Sequence, residues 1–224
     1  MRDLLNGIVA VVLGLGLLPV IARAQTDIAL SGYGAFHQKT SGNETLQGPS
    51  DQGGFLVELR HIRNPLVGYE VAYGYNRANQ SYTFVPQACP AFGCASSIAA
   101  IPANQHEVTA DWVVSLKLLM FRPFVLAGGG VLVTQPQGGT ITTTSCGTIN
   151  PLCAQTTSNA VTQTQAKGEF TYGAGVDWTV VPHLGVRLQY RGRVSKAPDL
   201  ATAFSSTDSF TRTSEPVLGV FLRF

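Results

Sequence analysis

Eight stretches of this chain alternate residue by residue between two chemistries: Asp27–His37, Gly54–Ile62, Leu66–Asn76, Gln105–Leu116, Arg122–Thr134, Gly168–Val181, Leu184–Val194 and Thr213–Phe224. A period of two is the period of a β-strand, whose successive side chains point to opposite faces of a sheet. The connections alternate as well. Those after the second, fourth and sixth stretches are tight, around Asn64-Pro65, Leu118–Phe121 and Pro182-His183. Those after the first, third, fifth and seventh are long: residues 38–53, 77–104, 135–167 and 195–212. An even number of antiparallel strands with short turns at one end and long loops at the other predicts an all-β, up-and-down barrel. Both chain ends then fall on the short-turn side.

The two faces differ in kind. In the third stretch Tyr69, Val71, Tyr73 and Tyr75 oppose Gly68, Glu70, Ala72, Gly74 and Asn76. In the fourth, Val108, Ala110, Trp112 and Val114 oppose Glu107, Thr109, Asp111 and Ser115. In the sixth, Phe170, Tyr172, Val176, Trp178 and Val180 oppose Glu169, Thr171, Gly173, Gly175 and Asp177. In the seventh, Leu184, Val186, Leu188 and Tyr190 oppose Arg187, Gln189, Arg191 and Arg193. The polar face mixes glycine, small polar groups and isolated charges, which suits a crowded interior. The apolar face carries aromatic rings near the strand ends, where a barrel in lipid places its girdles. The expectation is an inside-out protein, apolar rows outward and charges within. Its lumen would hold acids Glu58, Glu70, Glu107, Asp111, Glu169 and Asp177 against bases Arg60, Arg187, Arg191, Arg193 and Arg223. Buried charges must pair, because an isolated one is costly to desolvate. An interior the width of eight strands is filled by side chains and leaves no free aqueous pore.

The first residues bear on compartment. Arg2 precedes an apolar run from Leu4 to Ile21, followed by Ala22-Arg23-Ala24, the small-x-small pattern of a cleavage site. Residues 1–24 therefore read as a signal peptide and 25–224 as the barrel. The competing reading is an uncleaved anchor. Past this run no stretch reaches the roughly 18 consecutive apolar residues of a membrane helix. Charged residues are 12% of the chain and the formal net charge is +2, which excludes a nucleic-acid binder of the usual basic kind.

Export makes disulfides the expected state of the four cysteines, which fall as two close pairs, Cys89/Cys94 and Cys146/Cys153. Pairing within each close pair is the simplest of three connectivities. A four-cysteine zinc site is the alternative, disfavoured by spacings of four and six intervening residues. The cysteines sit in loops without charge: there is no Asp, Glu, Lys or Arg from Ala78 to Gln105 or from Pro123 to Ala166. "GGTITTT" and "AVTQTQA" keep strand character, so the fifth and sixth strands should continue past the membrane as a hairpin with Cys146 and Cys153 near its tip. Neutral, Thr- and Gln-rich surfaces bind at short range, by hydrogen bonds or edge pairing, and do not steer charged ligands over distance.

Neither G-x-S-x-G nor H-E-x-x-H occurs. No histidine has a serine two residues away on the same strand face, so no enzyme activity, metal or cofactor is expected. Gly128-Gly129-Gly130 lacks the lysine and helix start of a phosphate loop and reads as a bend in the fifth strand.

With "YGAGVDWTVVPHLGVRLQYRG" (Tyr172–Gly192) and the terminal "VLGVFLRF", the chain resembles the small eight-stranded bacterial outer-membrane barrels, the OmpA transmembrane domain and OmpX among them. The resemblance implies a bacterial outer-membrane location, with membrane lipid and lipopolysaccharide as surroundings. It implies a terminal signal, Leu218, Val220, Leu222 and Phe224, read by the barrel-assembly machinery. It also implies a non-enzymatic role in envelope structure, or in surface interaction with an extracellular ligand through the outer loops; the alternatives are an outer-membrane lipid-modifying enzyme using rim histidines and a small passive channel.

Overall fold

The computed structural model describes residues 25–63, 66–84, 94–146, 153–201 and 206–224. The chain is all-β there, with fourteen strands in two sheets. Eight form the barrel: β1 (Gln25–His37), β4 (Gln52–Ile62), β5 (Val67–Arg77), β8 (Ala103–Ser115), β9 (Phe121–Pro136), β12 (Gln165–Val181), β13 (Leu184–Lys196) and β14 (Phe210–Arg223). Each pairs antiparallel with its sequence neighbours, and β14 pairs back onto β1, so the sheet closes. These are the eight stretches of alternating sequence, extended by a residue or a few at most ends. The residues proposed as a signal peptide lie outside the described part.

The remaining six strands are built from three of the long loops. They are β2 (Thr40–Gly42) with β3 (Thr45–Pro49), β6 (Gln80–Phe84) with β7 (Cys94–Ile101), and β10 (Thr140–Cys146) with β11 (Cys153–Asn159). They join into one open sheet in the order β11-β10-β7-β6-β3-β2. The hairpin expected beyond the fifth and sixth barrel strands is present as β10 and β11, with Cys146 opposite Cys153 at the end of its ladder, but it does not continue the barrel ladder unbroken. The barrel ladder ends near Pro136 and a second begins at Thr140, after Gly138 at φ 88°. Proline has no N–H for the ladder and glycine permits the left-handed bend, so Pro136 and Gly138 end one sheet and start the other. Backbone bonds bridge the junction: Ala78 N–H to Ala103 O at 2.9 Å, Gln137 N–H to Pro102 O at 2.7 Å and Ser50 N–H to Asn79 O at 2.9 Å.

The fourth long loop covers the inner side of this sheet. Tyr82 donates its hydroxyl to Pro198 O at 2.6 Å, and Gln47 donates to Pro198 O at 3.3 Å and to Gln80 at 2.8 Å. Tyr82, Ala99, Ile101, Ala103, Leu200 and Ala201 form a small apolar core there. Burial pushes the Tyr82 phenol up, so it stays a hydrogen donor. At the exposed end of the same loop Lys196 pairs with Asp208 at 2.7 Å, and that pairing holds the Asp208 carboxyl below its ordinary range.

Candidate functional site: an inside-out barrel and its outer sheet

Burial along the barrel strands runs opposite to a soluble protein's. Arg60 and Arg187 are 0% exposed and Arg191 1%. Trp112 is 69% exposed, Leu188 57% and Leu218 60%. Adjacent residues on one strand thus have contrary surroundings: Arg187 faces in, Leu188 faces out. The outward rows end in rings. Phe121 stacks on Trp178 at the short-turn end, and Phe170 stacks on Tyr172 toward the loops. Tyr73, Tyr75 and Phe55 cluster with His106 toward the loop end, the Tyr73 hydroxyl lying 2.9 Å from His106 Nδ1.

The inward charges fall into two layers. Nearer the short turns, Arg60 binds Glu70 at 2.6 Å and Asp177 at 3.2 Å. Arg187 binds Asp27 and Asp177, each at 2.8 Å, with Glu58 at 3.4 Å and Glu70 at 3.5 Å. Ser31 donates to Glu58 at 2.8 Å. Two inward rings floor this layer: the Arg60 guanidinium lies 3.9 Å from the Phe124 ring centre, and the Arg223 guanidinium 4.8 Å from that of Phe221. Arg223 also donates to Thr179 at 3.0 Å. In the outer layer Arg191 binds Glu107 at 2.7 Å and Glu215 at 3.4 Å. Arg193 binds Glu107, Glu169 at 3.6 Å and Glu215 at 3.5 Å. Asp111 stands between the layers, held by Thr109 at 3.2 Å and by Thr171.

The inward residues named from sequence all point into the lumen. Glu58, Arg60, Glu70, Asp177 and Arg187 come together in one layer; Glu107, Glu169, Arg191 and Arg193 come together in the other. Among the described residues Arg223 touches no carboxylate, and it joins by its stacking on Phe221. Sequence reading missed Asp27 and Glu215. Both carry the signal, because Asp27 shares its alternating face with Ser31, and Glu215 shares its face with Arg223. They were passed over because their strand neighbours on that face are mostly apolar or glycine.

Leu218, Val220 and Leu222 share the outward face of β14, and Phe224, just past its end, is 73% exposed. The last residue still donates its backbone N–H to Thr26 O at 2.8 Å. Of the cysteines, Cys89 and the side chains of Cys94 and Cys146 lie outside the described residues. The backbone register sets Cys146 opposite Cys153 on one side and opposite Cys94 on the other.

The histidines are separate. His61 meets Thr26 and His183 meets Arg223 O near the short turns. His106 meets Tyr73, and His37 donates its backbone N–H to Asp51. Among the described residues no group of three or more His, Cys, Asp or Glu side chains is arranged to hold a metal ion.

A closed eight-stranded antiparallel barrel, apolar outside and ion-paired within, defines a small β-barrel of the transmembrane type. No family model and no curated protein matches the chain. Among solved structures it is similar to Ail, the attachment invasion locus protein of Yersinia pestis, crystallised with the heparin analogue sucrose octasulfate. The two share 15% identity over 91% of this chain and 100% of that one, with a TM-score of 0.45. Neisserial surface protein A is similar at 13% identity, 91% and 100% coverage and a TM-score of 0.45. The outer membrane protein OprG of Pseudomonas aeruginosa is similar at 12%, 90% and 97%, and 0.46.

Proposed function

We propose that this chain is an exported, non-enzymatic outer-membrane protein that anchors a rigid outer sheet and presents it for surface interaction or envelope structure. One observation carries the reading: fully buried arginines alternate with half-exposed leucines along the same strands. In water that arrangement would expose the apolar rows and bury charge at once. In hydrocarbon both choices are favourable, because the sheet satisfies its own backbone and the ions satisfy each other.

Residues 1–24 act as a cleaved signal in this reading. Leu218, Val220, Leu222 and Phe224 form the strand presented to an assembly machinery, and lipid with lipopolysaccharide surrounds the belt. The two ion-paired layers close the lumen to solutes, supported by the near-complete burial of their members. Cys146 bonds Cys153, and Cys89 bonds Cys94, pinning the outer hairpins. The facing positions of Cys146 and Cys153 support the first of these bonds.

The presented surface is the free edge of the outer sheet. All seven residues of β11 are exposed, and none is charged. An uncharged edge offers its backbone to a partner strand with no gatekeeping lysine or proline in the way. Excision of residues 140–159 tests this. Heat-shifted gel migration of the membrane fraction should persist, while adhesion of cells to host extracellular matrix or to one another falls to the level of the empty strain. Loss of the gel shift would show that scaffold and display are not separable.

A further inference from the structure

The seam between β1 and β14 has an opening on the lipid side. Phe224 donates to Thr26 O at 2.8 Å, and Gln38 donates to Arg212 O at 2.9 Å. Both are hydrogen-bonding pairs of one ladder. The register runs unshifted between them, from Asp27↔Arg223 to His37↔Thr213. In an antiparallel ladder every second pair carries the bonds. Counting by twos from Thr26–Phe224 reaches Gly34–Pro216. Proline has no N–H, so Pro216 offers no donor to the Gly34 carbonyl. The ladder passes from Tyr33↔Val217 directly to Phe36↔Ser214, with no pairing recorded in between.

A notch of about 200 Å³ lies at this spot, lined by Gly32, Gly34, Leu188, Pro216 and Leu218 together with Tyr33 and Val217. Its lining is almost wholly apolar. Gly32 and Gly34 occupy outward positions on β1 with no side chain; the space outside Gly32 is open, while the edge of the Phe36 ring stands 3.2 Å from where a Cβ of Gly34 would lie. Gly34 stands eight residues beyond Thr26 (34 − 26), which is about 26 Å along a strand. That is about 20 Å along the membrane normal at a tilt near 40°, within a belt about 25 Å tall. Measured from Thr26, the notch therefore falls inside the apolar belt, in its outer-leaflet half, just beneath Phe36.

We propose that the notch is a lipid site, resting on the membrane reading above. Its occupant is a membrane lipid whose acyl chain lies against Leu188 and Leu218. An amide or hydroxyl donor at the head of that chain reaches the Gly34 carbonyl in place of the missing Pro216 N–H. An unmet carbonyl in hydrocarbon is costly, so a donor-bearing lipid gains over a pure ester lipid at this one place.

The test uses full-length mature protein in phosphatidylcholine vesicles containing a diazirine-labelled N-acyl sphingosine, or a diazirine-labelled phosphatidylcholine with its label at the same acyl carbon. After illumination, adducts are mapped by peptide mass. The N-acyl lipid should label peptides holding Gly32–Gly34 and Pro216–Leu218 roughly threefold to tenfold above the rest of the belt, the range of one hydrogen bond. The ester lipid should show no such excess. Pro216→Val restores the donor and should bring the N-acyl lipid down to the ester level. Gly32→Leu fills the notch and should abolish the excess; a Cβ there has nothing within 4 Å, so the barrel accommodates it. Heat-shifted migration verifies that each variant folds, and the Gly32→Leu result decides if Pro216→Val does not fold. Even labelling, equal labelling by both lipids, an excess that survives Gly32→Leu, or protein–protein adducts across the seam would each overturn the proposal. Failure of the wild-type protein to enter vesicles would instead overturn the membrane reading.

Discussion

Arg187 and Leu188 are neighbours in sequence, and they make opposite demands on their surroundings. The Arg187 guanidinium holds Asp27, Asp177, Glu58 and Glu70. Arg187→Ala leaves those carboxylates mutually repelling in a dry interior. The expected loss is about 3–5 kcal/mol, the usual result of removing one partner of a buried pair, read from the urea midpoint of the gel-mobility shift. Leu188→Arg puts charge on the lipid face and should lower stability in bilayers by about 2–4 kcal/mol if it falls near the midplane. A soluble barrel would tolerate that second change poorly only if Leu188 were in its core, and Leu188 is mostly exposed. Tyr82→Phe is the milder test, in the outer sheet. It removes one hydroxyl from Pro198 O and should raise amide exchange across residues 197–201 while leaving barrel stability within about 1 kcal/mol.

At the scale of elements, the period-two pattern was sufficient to place the eight barrel strands, because one face meets hydrocarbon and the other meets paired charge. Few residues satisfy both environments, so each strand reads clearly. The six outer strands were harder to see. Their two faces are chemically alike, as in Thr140–Cys146, where threonine stands on both sides, and alternation vanishes when neither face excludes the other's residues. The same reason hid Asp27 and Glu215, lone charges on faces otherwise small or apolar. What the sequence does hold at the outer turns is strain. Asn43 and Glu44 both have positive φ, 49° and 60°, as the tightest hairpin turn requires. Glutamate is a poor fit there. Glu44→Gly should stabilise the β2–β3 hairpin by about 0.5–1 kcal/mol, seen as slower proteolysis and slower amide exchange in residues 40–49.

The molecule as a whole has three storeys: short turns, an ion-filled barrel, and an outer sheet floored by the fourth loop. In the function proposed above, two layers of paired charge close the lumen between the ends. Purified protein in a planar bilayer should therefore pass no steady current at moderate voltage, and sustained discrete openings would contradict a closed lumen. The backbone bond from Phe224 to Thr26 has a further bearing on biogenesis. It is one of the bonds joining the first and last barrel strands, whose ladder runs from Asp27↔Arg223 to His37↔Thr213, so the wall is complete only once β14 has met β1. Until then the sheet keeps two unpaired edges. Removing Arg223 and Phe224 takes away this bond and the Arg223 contacts with Phe221 and Thr179 but leaves the ladder from Ile28↔Leu222 onward, so the barrel should still close, with a lower urea midpoint of its gel shift.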